Sequence, residues 1–142
     1  MSSDAELLNE SLTLVADRGA ELISRFYDRL FEVAPGVRHL FPADMTAQRD
    51  KLLAAIIALV GNYHQRDELV PGLQDLGRRH VRYGAQPEHY PVVGEVLLAT
   101  LRDTAGEAWT DEYEQAWTRA YTFAAEVMQQ AAAEAPAVQT TP

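Results

Sequence analysis

The 142-residue chain contains no cysteine. That removes disulfides, thiolate metal sites, cysteine nucleophiles and thioether-linked cofactors, and it fits a reducing cytoplasm, the expected location. Positive charge is scarce: 12 Lys and Arg stand against 21 Asp and Glu, a net charge of −9. Neither nucleic acid nor an anionic membrane is expected as a partner, since both require a basic surface. No apolar run is long enough to span a bilayer, and Met1-Ser2-Ser3-Asp4-Ala5-Glu6 lacks a basic region followed by an apolar stretch, so no signal peptide is expected. Strand-type alternation is missing too.

What remains is helical periodicity over nearly the whole length, with 47% apolar residues, which predicts one all-α domain with a substantial core. Ser3 or Asp4 can cap a first helix carrying Leu7, Leu8, Leu12 and Val15. A second follows Arg18-Gly19 with Leu22, Ile23, Phe26, Tyr27, Leu30 and Phe31 on one broad face. It ends before Pro35-Gly36. Phe41, between Pro35 and Pro42, is expected as a buried aromatic at a corner, either a plug under a loop or a cofactor contact. A third helix starts near Asp44 and carries Met45, Gln48, Leu52, Ile56, Leu59 and Tyr63. Pro87 opens a helix with Tyr90, Val93, Gly94, Leu97, Leu98 and Leu101. Thr110 caps the last one, whose stripe runs from Tyr113 through Trp117 and Tyr121 to Ala131.

Between the third helix and Pro87 lies the stretch that most needs a reason. Leu73, Leu76, Gly77 and His80 stand at i, i+3, i+4 and i+7, so the imidazole points inward. Pro71 is placed for the first turn of this helix and Gly84 for its stop. An inward histidine is either a core residue satisfied by a neighbouring carbonyl or a metal ligand. Tyr27 and Gln48 likewise stand on apolar faces of two other helices. Three such residues point to one shared cavity. A single imidazole without carboxylate or thiolate companions suits bare zinc or iron poorly, whereas a haem brings four of the iron's ligands itself and fills an apolar pocket.

The motifs Phe26-Tyr27-Asp28-Arg29-Leu30-Phe31, Leu40-Phe41-Pro42, Gln48-Arg49-Asp50-Lys51-Leu52 and Leu76-Gly77-Arg78-Arg79-His80 follow in order. They continue in the stretch from Glu88 to Leu101 and in Ala116-Trp117-Thr118-Arg119-Ala120-Tyr121. Together they resemble the globin domain of flavohaemoglobins, especially the actinobacterial flavohaemoglobin-like kind, and the single-domain haemoglobins related to them. The likeness implies a globin fold, a three-on-three helical sandwich, over residues 1–134, with residues 135–142 as a disordered tail or linker stub. It implies haem b (iron protoporphyrin IX) with His80 as proximal iron ligand. Tyr27 and Gln48 become the distal polar pair, Phe41 and Leu52 haem contacts, and Tyr90 a proximal-side support. Arg79 is a candidate partner for a haem propionate, since a guanidinium matches a carboxylate fork. His39, His64 and His89 are expected at the surface.

One departure stands out. The best-known flavohaemoglobins pair the proximal histidine with a glutamate on the last helix, and the aligned residue here is Ala132. Glu134, two residues on, faces roughly the other side of a helix. The resemblance then implies binding of O2, NO and CO, with nitric oxide dioxygenation if a separate NAD(P)H-dependent reductase serves the iron. Non-enzymatic O2 storage, delivery or sensing is the second reading, and a haem-free helical interaction domain the third. These residues carry no flavin or nicotinamide segment, so the electron source is a separate protein or the chain is an excised domain. A monomer or homodimer is expected.

Overall fold

Ser3 Oγ accepts from Glu6 N–H while the Glu6 carboxylate accepts from Ser3 N–H, a reciprocal cap that opens the first helix. The computed structural model describes residues 3–139, and side-chain surroundings over residues 3–134. Among them six α-helices follow in order: α1 Asp4–Val15, α2 Gly19–Val33, α3 Thr46–Asn62, α4 Arg66–Arg82, α5 His89–Ala105 and α6 Asp111–Gln139. Short 3-10 turns join several of them, the longest being Pro35–Leu40 at the corner after α2. The expected tail over residues 135–142 lies outside the described side chains.

The helices form two layers of three, α1, α3 and α4 over α2, α5 and α6. α1 packs on α5 and α6, α2 on α3, and α4 lies along α6. This is the expected three-on-three sandwich. Two polar links tie α1 to α6. Trp117 Nε1 donates to the fully buried Ser11 Oγ at 2.8 Å, and Ser11 donates in turn to Leu7 O at 2.7 Å. Arg119 grips Asp4 with two bonds of 2.8 Å.

Glycine sets the closest crossing. A Cβ on Gly77 would lie 2.2 Å from Met128 O, so α4 can rest on α6 at this distance only because residue 77 has no side chain. Gly94 does the same for α5, where a Cβ would meet the Tyr121 ring at 2.7 Å.

Two proline boundaries differ from the expectation, and the first is small: α5 begins at His89, with Pro87 in the turn before it. α4 begins at Arg66, and Pro71 stands inside it rather than in its first turn. A proline removes one N–H and leaves a carbonyl one turn back without its donor. Pro71 is exposed, so that carbonyl can turn to water and the helix continues through it.

Candidate functional site

The C-terminal end of α4 is held more tightly than periodicity alone implies. Gly84 takes φ +93, and behind it Ala85 N–H donates to His80 O at 2.9 Å while Gly84 N–H donates to Val81 O at 3.1 Å. This pair of bonds is the left-handed glycine stop, and it fixes the backbone of His80. A Cβ at Gly84 would also come within 2.9 Å of Leu40 Cδ2, so the helix end abuts the corner that carries Phe41.

His80 itself is half-buried. Its Nδ1 donates to Leu76 O at 2.8 Å, one turn back, which places the proton on Nδ1 and leaves the Nε2 lone pair free. Burial lowers the imidazole pKa, opposed by the bond to Leu76, and Arg79 lowers it further. The ring is therefore neutral near pH 7, the form that binds a metal. Tyr83 and Tyr90 lie against it, ring centres 6.1 and 6.5 Å away. Tyr90 is held in turn through its backbone, since Tyr121 Oη donates to Tyr90 O at 2.6 Å. Burial raises the Tyr121 pKa well beyond its ordinary range, so this donor keeps its proton.

The second group of residues stands on α2, α3 and the corner. Tyr27 is 5% exposed, and Gln48 Nε2 donates to its Oη across 3.2 Å. Burial raises the Tyr27 pKa more than the Gln48 bond lowers it, so the hydroxyl stays protonated. Phe41, half-buried rather than buried, meets Tyr27 edge-on at 5.6 Å and Phe31 at 5.4 Å. Arg38 staples this corner, donating to Pro42 O at 3.0 Å with its guanidinium 5.0 Å above the Phe31 ring. Leu52 is half-buried against the same apolar cluster.

The described core thus divides. Tyr27, Phe41 and Leu52 belong to a large cluster, and Tyr90 with Leu73 and Leu76 to a small one, with Tyr121 packed against both. Of the expected site residues, Tyr27 touches both Gln48 and Phe41, and His80 meets Tyr90. Arg79 is exposed on the outer side of α4, its Nε 3.4 Å from Asp75. His39 and His64 are exposed, and His89 Nδ1 accepts from Gln86 N–H at 3.0 Å where α5 begins.

Sequence reasoning left Arg38 and the bond from Tyr121 to Tyr90 unassigned. An arginine two residues after the Pro35-Gly36 turn hints at carbonyl capping. Nothing local signals the Tyr121 bond, which spans 31 residues.

The set of donors suits a haem. Among the described residues no three His, Cys, Asp or Glu side chains converge to hold an ion unaided, so His80 would be a lone protein ligand. A porphyrin would bring four ligands of its own, and half-buried Leu52, Leu76 and Phe41 together with buried Tyr90 match its apolar body.

Comparison with known proteins supports the same direction. A family model described as Globin matches residues 24–128. The flavohemoprotein of Bacillus subtilis is 34% identical over 119 residues, which is 82% of this chain and 30% of that protein. The chain therefore spans about a third of the length of the flavohemoproteins it matches. An uncharacterised globin-like protein of Aquifex aeolicus is 32% identical over 122 residues, 86% of each. Among solved structures, an engineered carbene transferase built on a candidate nitric oxide dioxygenase of Rhodothermus marinus aligns with a TM-score of 0.86 and 27% identity over 98% of both chains.

Proposed function

Given that this chain belongs to the globin family, we propose that it holds haem b with His80 Nε2 as the protein's iron ligand and binds O2, NO and CO on the side of Tyr27 and Gln48. The observation that carries this reading is the bond from His80 Nδ1 to Leu76 O at 2.8 Å, which commits one nitrogen and leaves the other as a fixed donor. Haem, when bound, supplies reversible coordination of a diatomic ligand and the redox chemistry that turns nitric oxide and O2 into nitrate.

The chain's own residues do the rest. Leu76 O and the glycine stop hold the imidazole in one orientation, and burial keeps it neutral. Gln48 Nε2 donates to Tyr27 Oη, so the tyrosine proton is left to donate to a ligand that gathers negative charge. Phe41, Phe31 and Leu52 keep the surroundings of that hydroxyl apolar, which strengthens such a bond.

On this basis the protein turns nitric oxide and O2 into nitrate when an NAD(P)H-dependent reductase re-reduces it. A second reading, O2 storage, delivery or sensing, has one observation in its favour. The partner of His80 Nδ1 is a carbonyl rather than a carboxylate, and a carbonyl leaves the imidazole less electron-rich. The test is nitric oxide consumption by the haem-loaded protein with NAD(P)H and a flavin reductase. Nitrate formed mole for mole with the nitric oxide consumed, over many turnovers, supports the enzyme. A single turnover followed by arrest despite continued reduction supports the second reading.

A further inference from the structure

One residue holds both backbone polar groups of Phe41. The Phe41 N–H donates to Arg38 O at 3.1 Å, and the Phe41 carbonyl accepts from Arg38 Nη1 at 3.3 Å. The same guanidinium donates to Pro42 O at 3.0 Å and to Ala43 O at 3.4 Å. Among the described residues no backbone N–H donates to any of these three carbonyls. In the irregular stretch between Leu40 and α3 the arginine therefore does what regular structure does elsewhere.

The guanidinium also lies over the face of Phe31, 5.0 Å from the ring centre. Phe31 stacks on Tyr27 at 5.9 Å, Tyr27 meets Phe41 edge-on at 5.6 Å, and Phe41 meets Phe31 at 5.4 Å, so the three rings close a triangle. Arg38 grips two of its corners, Phe31 by the ring face and Phe41 by the backbone. The third corner is Tyr27, whose hydroxyl accepts from Gln48 on α3. Arg38 forms no ion pair among the described residues, so no carboxylate competes for its donors.

We propose that Arg38 is a positioning residue for the ligand side: it sets the direction of the Tyr27 hydroxyl, and so the preference for a ligand that gathers negative charge over one that does not. This role rests on the haem reading and adds to it a residue that acts through Tyr27. Arginine suits the task because its planar fork donates to several carbonyls while its face rests on an aromatic ring. A lysine is a point charge and cannot do both. Without Arg38 the three carbonyls must turn to water, the stretch into α3 loosens, and the Tyr27 ring loses the two fixed neighbours that set its tilt.

The experiment uses the haem-loaded full chain and Arg38→Leu, which keeps an apolar stem and has no donors. Stopped flow follows release of O2 and of CO, and amide hydrogen exchange over residues 41–48 is measured on the haem-free protein. A hydrogen bond to a charged acceptor is worth about 10- to 100-fold in release rate, and misaiming it forfeits part of this, so O2 release rises about three- to tenfold. Bound CO gathers little charge, so its release stays within about twofold. Residues 41–48 lose exchange protection in the same variant. Arg38→Lys recovers only part of the O2 effect. Arg29→Leu, which breaks an ion pair to Asp103 from the helix that carries Tyr27, leaves both release rates within about twofold.

Unchanged O2 release, equal acceleration of O2 and CO, or full recovery with lysine overturns the role given to Arg38. If Arg38→Leu does not fold, Arg38→Lys decides: faster O2 release with unchanged CO release supports the role, and wild-type rates overturn it. A wild-type protein that takes up no haem removes the functional reading and this role together. A coloured, O2-binding protein indifferent to both substitutions removes the role of Arg38 alone.

Discussion

Gln48 on α3 donates its amide proton to Tyr27 Oη on α2 across 3.2 Å, so the tyrosine acts as acceptor in that contact and keeps its own proton for another partner. The arrangement predicts different effects for the two residues. Tyr27→Phe removes the donor and speeds O2 loss by about 10- to 100-fold, the kinetic equivalent of a hydrogen bond to a charged acceptor of about 1.5–3 kcal/mol. Gln48→Leu releases the tyrosine without removing it and has a smaller effect. Displacement of O2 by CO in stopped flow measures both rates. Equal rates in wild type and Tyr27→Phe would show that the hydroxyl does not reach the ligand.

Gly77→Ala tests the crossing of α4 on α6. The added methyl would sit 2.2 Å from Met128 O, a backbone atom that cannot rotate away, so the helices must separate. Overpacking of this kind costs about 3 kcal/mol. Urea unfolding of the haem-free protein reads it, and His80, three residues along the same helix, should hold haem less firmly in the variant.

Ser11→Ala strips the acceptor from Trp117 Nε1 in the buried contact between α1 and α6. A buried donor left unpaired costs about 1–3 kcal/mol. Tryptophan fluorescence during denaturation measures the loss, and Ser11→Thr, which restores a hydroxyl, should recover part of it.

The pH dependence of the haem-free protein follows from His80. Its folded-state pKa lies below the ordinary 6.5 because burial disfavours the cation. The unfolded chain therefore takes up this proton first as pH falls. The stabilisation tied to a neutral imidazole is fully present above 6.5 and is lost as pH drops through the lower folded value. Stability measured from pH 8 down to 5 should show a decline that His80→Gln lessens. An NMR titration placing the His80 midpoint above 6.5 would reverse the sign.

Much of the site was legible because its signals are local. An inward His80 follows from leucines and a glycine at helical spacing, and the stop at Gly84 from a residue type that tolerates positive φ. Tyr27 and Gln48 were visible as polar breaks in apolar stripes. Their mutual hydrogen bond was not, since it depends on how α3 lies over α2. Pro71 misled for a physical reason: its preference for a first turn is an average, and an exposed proline can sit mid-helix when water accepts the freed carbonyl. The Trp117 bond to Ser11 spans 106 residues, and no periodicity encodes it. Arg79 was singled out as a propionate partner by residue type alone, and its ion pair with Asp75 one turn back was equally readable from the i, i+4 spacing.

The central claim is that one nitrogen, His80 Nε2, holds the iron. The direct measurement is the optical spectrum of the purified protein reconstituted with haem, recorded beside His80→Gly with and without added imidazole. The expected result is a Soret band in the wild type and a weakly held, altered chromophore in the variant that imidazole restores toward the wild-type spectrum. A His80→Gly protein that binds haem with an unchanged spectrum and no response to imidazole would contradict the assignment.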